Sequence, residues 1–322
     1  MQSAAEPQRK VTDVYLANVE LPLSADYYPA GFPLHLSTNS RDVLESARES
    51  WGAWVWEFDR PPLRLRVAVQ SEGSLAPPAA FRRQGHLFCA ISDADNFGVG
   101  DLRLLEACIF VSAQTVADHA WFRWFLLEPL VYVLLAQRYA IPVHAACVAR
   151  QGSGVLLCGA SGAGKSTLAF ACGRAGWTFV SDDATWLLPE GEDPIGIGRF
   201  QQARFRPDAP TLFPELAAYS ERVRPNGKLS LEVDLREIPH IAAAGKCAIE
   251  QLVMLDRRTG IPPRLEKIRA EQVVEALLQD GPGYGEDVDR LAEKTLRKLL
   301  RLPASRLHYE RLDDALELLS RL

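Results

Sequence analysis

The sequence predicts an α/β protein in two parts: an N-terminal α/β domain over residues 1–118 and a phosphate-binding α/β domain over residues 119–322. Three observations lead there. The pattern G-x-x-x-x-G-K-S, Gly159 to Ser166, stands between a short apolar strand, Val155–Cys158, and a helical stretch, Thr167–Ala175. Alternation of apolar and polar residues recurs through the N-terminal part, as half-buried strands require. A chain of 322 residues with 48% apolar content matches about two ordinary globular domains.

Taken in order, residues 1–12 are polar and read as a frayed end. Val11–Leu21 alternates like a strand, and Arg41–Arg48 suggests a short helix with Ser40 as N-cap. Trp51–Phe58 and Leu63–Val69 alternate again, Ser71–Pro78 is a loop, and Leu87–Ser92 is a further strand. The aromatic residues Tyr15, Tyr27, Tyr28, Trp51, Trp54, Trp56 and Phe58 fall mostly at alternating positions, so they read as core. No cluster of acids, bases or metal ligands marks a site in this part. Leu102–Val116 and Trp121–Tyr139 read as two helices. The second is apolar nearly all round, hence buried, and joins the two parts. Pro142 marks its end.

Val143–Ala149 is then a strand carrying His144, and Arg150–Gly154 a tight turn into the strand that feeds the glycine loop. The resulting hairpin puts His144 at the end of its strand farthest from the turn. After the loop helix, Gly173–Gly176 breaks the chain and Trp177–Val180 forms a short buried strand, ending in Ser181-Asp182-Asp183. Acids at the C-terminal end of a parallel strand stand over the crevice where open α/β sheets bind ligands. Lys228–Leu235 and Ile249–Leu255 are strands, Glu266–Gln279 and Asp287–Leu302 amphipathic helices, Leu307–Leu312 a last strand and Asp313–Leu322 a closing helix.

The loop carries the chemistry. Gly159, Ala160, Ser161, Gly162, Ala163, Gly164, Lys165, Ser166 and Thr167 are expected to cradle nucleotide phosphates. Glycines let the backbone N–H groups turn inward, and the helix N-terminus adds partial positive charge. Lys165 would reach the outer phosphates, and the Ser166 hydroxyl would help hold Mg²⁺. Asp182 or Asp183 would complete the metal's oxygen ligands, leaving the other to accept a proton from an attacking hydroxyl. Adjacent strand residues point to opposite faces, so the two acids should not share one job. Asp182 follows Lys165 by only seventeen positions, much closer than the second acidic motif of most ATPases. No transporter signature or GTPase base-recognition motif is present. The short interval fits small-molecule kinases and one family of protein kinases built on a P-loop.

In these motifs the chain resembles HPr kinase/phosphorylase and its relatives. The shared features are a strand bearing a histidine (His144), the G-x-S-G-x-G-K-S loop, a helix, and a strand ending in an Asp-Asp pair at the same interval. Asn226–Leu235, reading NGKLSLEVDL, resembles the family's lysine-bearing strand. The resemblance implies a P-loop domain with a central mixed β-sheet flanked by helices, with ATP and Mg²⁺ as cofactors. It also implies that Asp182 activates a seryl hydroxyl, Asp183 helps bind Mg²⁺, and His144 assists near the reacting phosphate. Where the bifunctional enzyme carries a Glu-Ile-Arg-Gly-Leu-Gly signature, this chain reads IGIGRFQQARFRP over 195–207, with no glutamate. The closer likeness is to the HPr kinase-related branch that includes lasso-peptide kinases. Arg199, Arg204 and Arg206 either stabilise charge on a transferred phosphoryl or form a solvated face; Lys228 and Arg257 have weaker claims.

The expected activity is therefore ATP- and Mg²⁺-dependent transfer of a phosphoryl group to a serine of a protein or peptide. A small-molecule hydroxyl kinase using the same loop and acids, and a nucleotide-binding regulator without turnover, are the alternatives. The formal charge of −5 gives no general attraction to nucleic acid or anionic lipid. Leu126–Ala136 is too short to span a bilayer and is interrupted by Glu128 and Pro129. No signal peptide is visible. The six scattered cysteines read as reduced core residues. The expected location is cytoplasmic, and a homo-oligomer is allowed.

Overall fold

The computed structural model describes residues 19–281 and 283–322, so Tyr15 and most of the strand expected over Val11–Leu21 lie outside the described residues. The chain divides into two compact units. The first gathers the described residues up to Tyr27 with Leu34–Ser50 and Pro62–Val131; the second gathers Tyr28–Pro33, Trp51–Pro61 and Tyr132–Leu322.

In the first unit, β1 (Leu23–Tyr27), β2 (Leu34–Thr38), β3 (Leu63–Gln70), β4 (Ala80–Gln84), β5 (Leu87–Ile91), β6 (Phe97–Asp101) and β7 (Glu106–Ser112) form one sheet. Its order is β1-β2-β3-β7-β6-β5-β4, parallel at β2–β3–β7 and antiparallel elsewhere. Leu63, Leu65 and Val67 are fully buried while Arg64 faces out to Glu106 at 2.8 Å, the alternation read for this strand. The helix expected over Leu102–Val116 is instead β7 followed by a short helix, α2 (Ala113–Ala117). Ile109 and Val111 are β-branched and wholly buried in the middle of the sheet, and a strand covered on both faces lacks the alternation that would reveal it. The helix α1 (Arg41–Trp51) precedes β3.

The helix expected over Trp121–Tyr139 forms as α3 (His119–Phe122), a π turn at Arg123–Leu127 and α4 (Glu128–Arg138), which runs across the division of the units. Trp51–Phe58 does not form the expected strand: beyond α1 it is irregular, with Glu57 N and Phe58 N both donating to the single carbonyl of Gly31 and side chains, not a ladder, holding the rest. Gln201 Nε2 donates to Ala53 O at 2.6 Å, Trp54 packs edge-on against Phe200, and Lys246 pairs with Glu57. Trp51 is buried, but Trp56 is 59% exposed and is not core.

The second unit is built on a mixed sheet flanked by helices, as expected. Its strands are β8 (Ile141–Val143), β9 (Ala145–Arg150), β10 (Ser153–Cys158), β11 (Thr178–Ser181), β12 (Thr185–Leu187), β13 (Ile195–Gly198), β17 (Ala242–Ala243), β18 (Lys246–Arg257), β19 (Arg264–Ile268) and β20 (Ala304–Tyr309). The path is β17-β11-β9-β10-β18-β13-β12-β8, with β20 between β18 and β19. A smaller antiparallel sheet, β14-β16-β15, is formed by β14 (Gln202–Phe205), β15 (Glu221–Val223) and β16 (Leu229–Asp234). The helices are α5 (Lys165–Arg174), α6 (Ala270–Gln279), α7 (Glu286–Leu296) and α8 (Leu312–Leu319). Leu168, Phe170 and Cys172 of α5 join one apolar core with Phe205, Phe213 and Tyr309. Val273, Val274 and Leu277 of α6 join another on Leu156, Cys158 and Leu252. The helix expected from Glu266 begins only at Ala270, since the preceding residues pair antiparallel with β20.

β11 differs from the expected parallel strand. Its long neighbour β9 is antiparallel, and only the two-residue β17 runs parallel to it. Because β9 is antiparallel to both β10 and β11, those two strands still point the same way. The glycine loop after β10 and the acid pair after β11 therefore emerge on one edge of the sheet. The four buried and two half-buried cysteines are all free thiols, in line with the sequence reading.

Candidate active site

Three chain features bring the site together. Gln151 (φ 53°) and Gly152 (φ 90°) turn β9 into β10 as a two-residue hairpin, the geometry that both positive φ values favour. That turn leaves the start of β9 beside the end of β10, Ala145 opposite Cys158. His144 is the bend between β8, which pairs with β12, and β9, which pairs with β10 and β11.

The loop from Gly159 to Gly164 leads directly into α5, whose first residue is Lys165. Gly162 (φ 87°) and Gly164 (φ 95°) adopt the left-handed conformation that side chains resist. Gly164 is also crowded: a Cβ there would lie 3.0 Å from Tyr309 Oη, which itself donates to Ala163 O at 3.3 Å. Ser161 is exposed, whereas Ser166 and Thr167 in the first turn of α5 are half-buried.

Lys165 is only 4% exposed. Its Nζ donates to Gly159 O at 2.7 Å and Ala160 O at 3.3 Å, and lies 3.8 Å from Asp183 Oδ1. Burial lowers its pKa, against the opposing pull of Asp183 and Asp280. His144 Nε2 is 2.8 Å from the same Asp183 oxygen, and its Nδ1 is 3.5 Å from Asp280 Oδ2. The hydrogen bond to Asp183 raises the His144 pKa above its ordinary 6.5. Desolvation raises the Asp183 pKa, but the His144 hydrogen bond and the charges of His144, Lys165 and Arg204 together bring it below 3.8.

Asp182 faces a different set of groups. Its Oδ2 accepts the backbone N–H of Arg204, in β14, at 2.8 Å. Burial raises its pKa, opposed by that hydrogen bond and the Arg204 charge. The two adjacent acids thus have separate hydrogen-bond partners and opposite shifts, although the Arg204 charge acts on both. A buried hydroxyl chain fixes the turn that carries them: Ser181 Oγ and Thr185 Oγ1 are 2.6 Å apart, and Thr185 donates to Ala145 O at 2.9 Å.

Lys165, His144 and Asp183 are brought together as a cluster; Asp182 stands next to it, turned toward β14. Asp280 and Tyr309 carry no sequence signal and arrive only through packing of distant chain, whereas Arg204 and Arg206, two of the three arginines whose role the sequence leaves open, stand beside Asp182 and the glycine loop. Lys228 is exposed in the turn just before β16, and Arg257 donates to Glu310 O at 3.4 Å.

The His144–Asp183 pair makes a testable contribution to stability in Mg²⁺-free buffer. The raised histidine pKa stabilises the fold fully below 6.5, with loss as pH rises through the folded value. The lowered aspartate pKa stabilises it above 3.8, with loss as pH falls through the folded value. The difference in unfolding free energy between wild type and His144→Gln should therefore be largest between pH 3.8 and 6.5. Asp183 is 57% exposed, so the maximum should not exceed about 1 kcal/mol. Urea titrations across pH measure it, and a difference that grows above pH 8 would rule the pair out as its source.

Over residues 110–196 the sequence matches the family model described as SynChlorMet cassette protein ScmC. That segment includes His144, the glycine loop and both acids. No curated protein matches the sequence. Among solved structures, the Hpr(Ser) kinase/phosphatase from Coxiella burnetii is similar at 15% identity and a TM-score of 0.30, over 56% of this chain and 95% of that one.

Proposed function

We propose that residues 119–322 form a P-loop kinase domain that transfers the γ-phosphoryl group of ATP to a seryl hydroxyl of a protein or peptide. The supporting observation is the opposite environment of two adjacent carboxylates at the phosphate loop. Paired acids whose surroundings push their pKa values apart are suited to different tasks. Asp182, with its pKa raised by burial, suits a base that collects a proton. Asp183, with its pKa lowered, suits a carboxylate that stays ionised.

Mg²⁺ needs few protein oxygens when phosphates and water complete its shell. No cluster of three or more metal-ligating side chains occurs among the described residues. The hydroxyl of Ser166 and the carboxylate of Asp183 are a donor set of this sparse kind. Bound there, the ion would neutralise charge on the outer phosphates.

The protein's own groups divide the remaining work. Lys165, buried beside the loop carbonyls, holds a positive charge for the β- and γ-phosphates. The acceptor oxygen attacks the γ-phosphorus, the bond to the β–γ bridging oxygen breaks, and ADP leaves. Asp182 takes the hydroxyl proton. His144, hydrogen-bonded to Asp183 and adjacent to Lys165, fixes the orientation of that carboxylate. The acceptor is a serine-bearing peptide or protein, and the domain works in the cytoplasm without nucleic acid.

Labelled ATP with serine-containing peptides tests the reading. Asp182→Asn should lower transfer by about 10²–10⁴-fold while ATP still binds. Equal labelling by wild type and variant would remove Asp182 from the mechanism.

A further inference from the structure

Of the arginines near the loop and acids, most are already engaged. Arg204 Nε lies 3.2 Å from Glu232 Oε1, Arg257 donates to a backbone carbonyl, and Arg258 pairs with Asp256. Arg206 differs. Its side chain is exposed and has neither an ion pair nor a hydrogen bond among the described residues. Yet its guanidinium lies over the glycine loop: a Cβ built on Gly162 would be 3.0 Å from Arg206 Nη2.

This placement is built in. Phe205, the preceding residue, is buried against Phe170 of α5 with ring centroids 5.1 Å apart, and against Phe213 at 6.3 Å. The following residue is Pro207, which restricts Arg206 itself to extended backbone. The Arg206 carbonyl accepts from Ala209 N at 3.1 Å. The backbone is therefore held at both ends while the side chain stays available. β14 also spans the distance that matters: at Arg204 its N–H binds Asp182, and just past its end Arg206 overhangs Gly162.

We propose that Arg206 is a ligand of the outermost phosphate of the bound nucleoside triphosphate, a cation supplied from β14 to the group being transferred. This rests on the reading of the loop as the ATP site and adds the residue that tells triphosphate from diphosphate. A planar guanidinium can contact two phosphate oxygens at once, and arginines so placed stabilise the charge that spreads over the transferred group. Gly162 serves both ends of the arrangement. It supplies the left-handed turn and leaves room for the guanidinium.

The test is nucleotide binding by the full chain, with MgATP and MgADP titrated separately against wild type, Arg206→Ala and Arg206→Lys. Arg206→Ala should weaken ATP binding by about tenfold or more and leave ADP binding within about twofold. Arg206→Lys should retain part of the preference for ATP, because a point charge replaces the fork. Phosphoryl transfer by Arg206→Ala should fall by roughly 10²-fold or more. An unchanged urea midpoint, expected for an exposed side chain, separates these effects from misfolding. Parallel loss of ATP and ADP binding, or no change in either, overturns the proposal. A wild type that binds ATP but labels no serine defeats the seryl-kinase reading, while the ATP/ADP ratio still decides Arg206. A wild type that binds neither nucleotide overturns both.

Discussion

Replacing Lys165 with methionine should reduce phosphoryl transfer by about 10²–10³-fold, the scale set by removing one preorganised charge partner from a reacting site. Methionine fills much of the space of the aliphatic stem, which matters because Lys165 is only 4% exposed and an alanine would leave a cavity. The fold should therefore survive and the loss be kinetic. A second readout belongs to the charge itself. Lys165 lowers the His144 pKa, so its removal should raise that pKa further. Titration of the His144 ring by NMR measures this. A variant with full transfer, or with the His144 titration moved downward, would show that Lys165 does not face the site as described.

The second large effect is structural. A Cβ on Gly198 would lie 2.1 Å from Val180 O and 2.6 Å from both Val180 C and Ser181 Cβ. These are backbone and near-backbone atoms that cannot swing aside. Gly198→Ala must displace β11 from β13, at a cost of about 1–3 kcal/mol. The displacement begins at Ser181, one residue before Asp182 and part of the chain Ser181–Thr185–Ala145. Transfer should fall together with stability, and it should stay low under conditions where the variant remains folded. Urea unfolding and a labelling assay on the same preparation check both. An unchanged midpoint would mean that β13 does not press on β11.

Much of this site was legible because it is local. The loop's conformation depends on glycines at fixed offsets, and the left-handed Gly162 and Gly164 stand where the pattern puts them. The start of α5 and the short buried β11 follow from periodicity and from the glycines that punctuate them. The two-residue turn before β10 also follows from local residues. Legibility failed where neighbours in space decide. Glu106–Ser112 carries no periodicity that separates a strand from a helix; β3 and β6 on either side make it a strand. Trp51–Phe58 alternates, but no partner strand takes it up, and Trp56 stays exposed.

For the acids the division is similar. The sequence alone determined that a glycine loop is followed at short range by two carboxylates, because backbone geometry and spacing are properties of adjacent residues. Tertiary structure decided what each carboxylate meets. Asp183 gains His144 from the bend between β8 and β9, Asp182 gains the Arg204 N–H from β14, and Gly162 gains Arg206 from just past the end of that strand. Proton affinity follows desolvation and nearby charge, and both depend on which distant segments the sheet order brings to that edge.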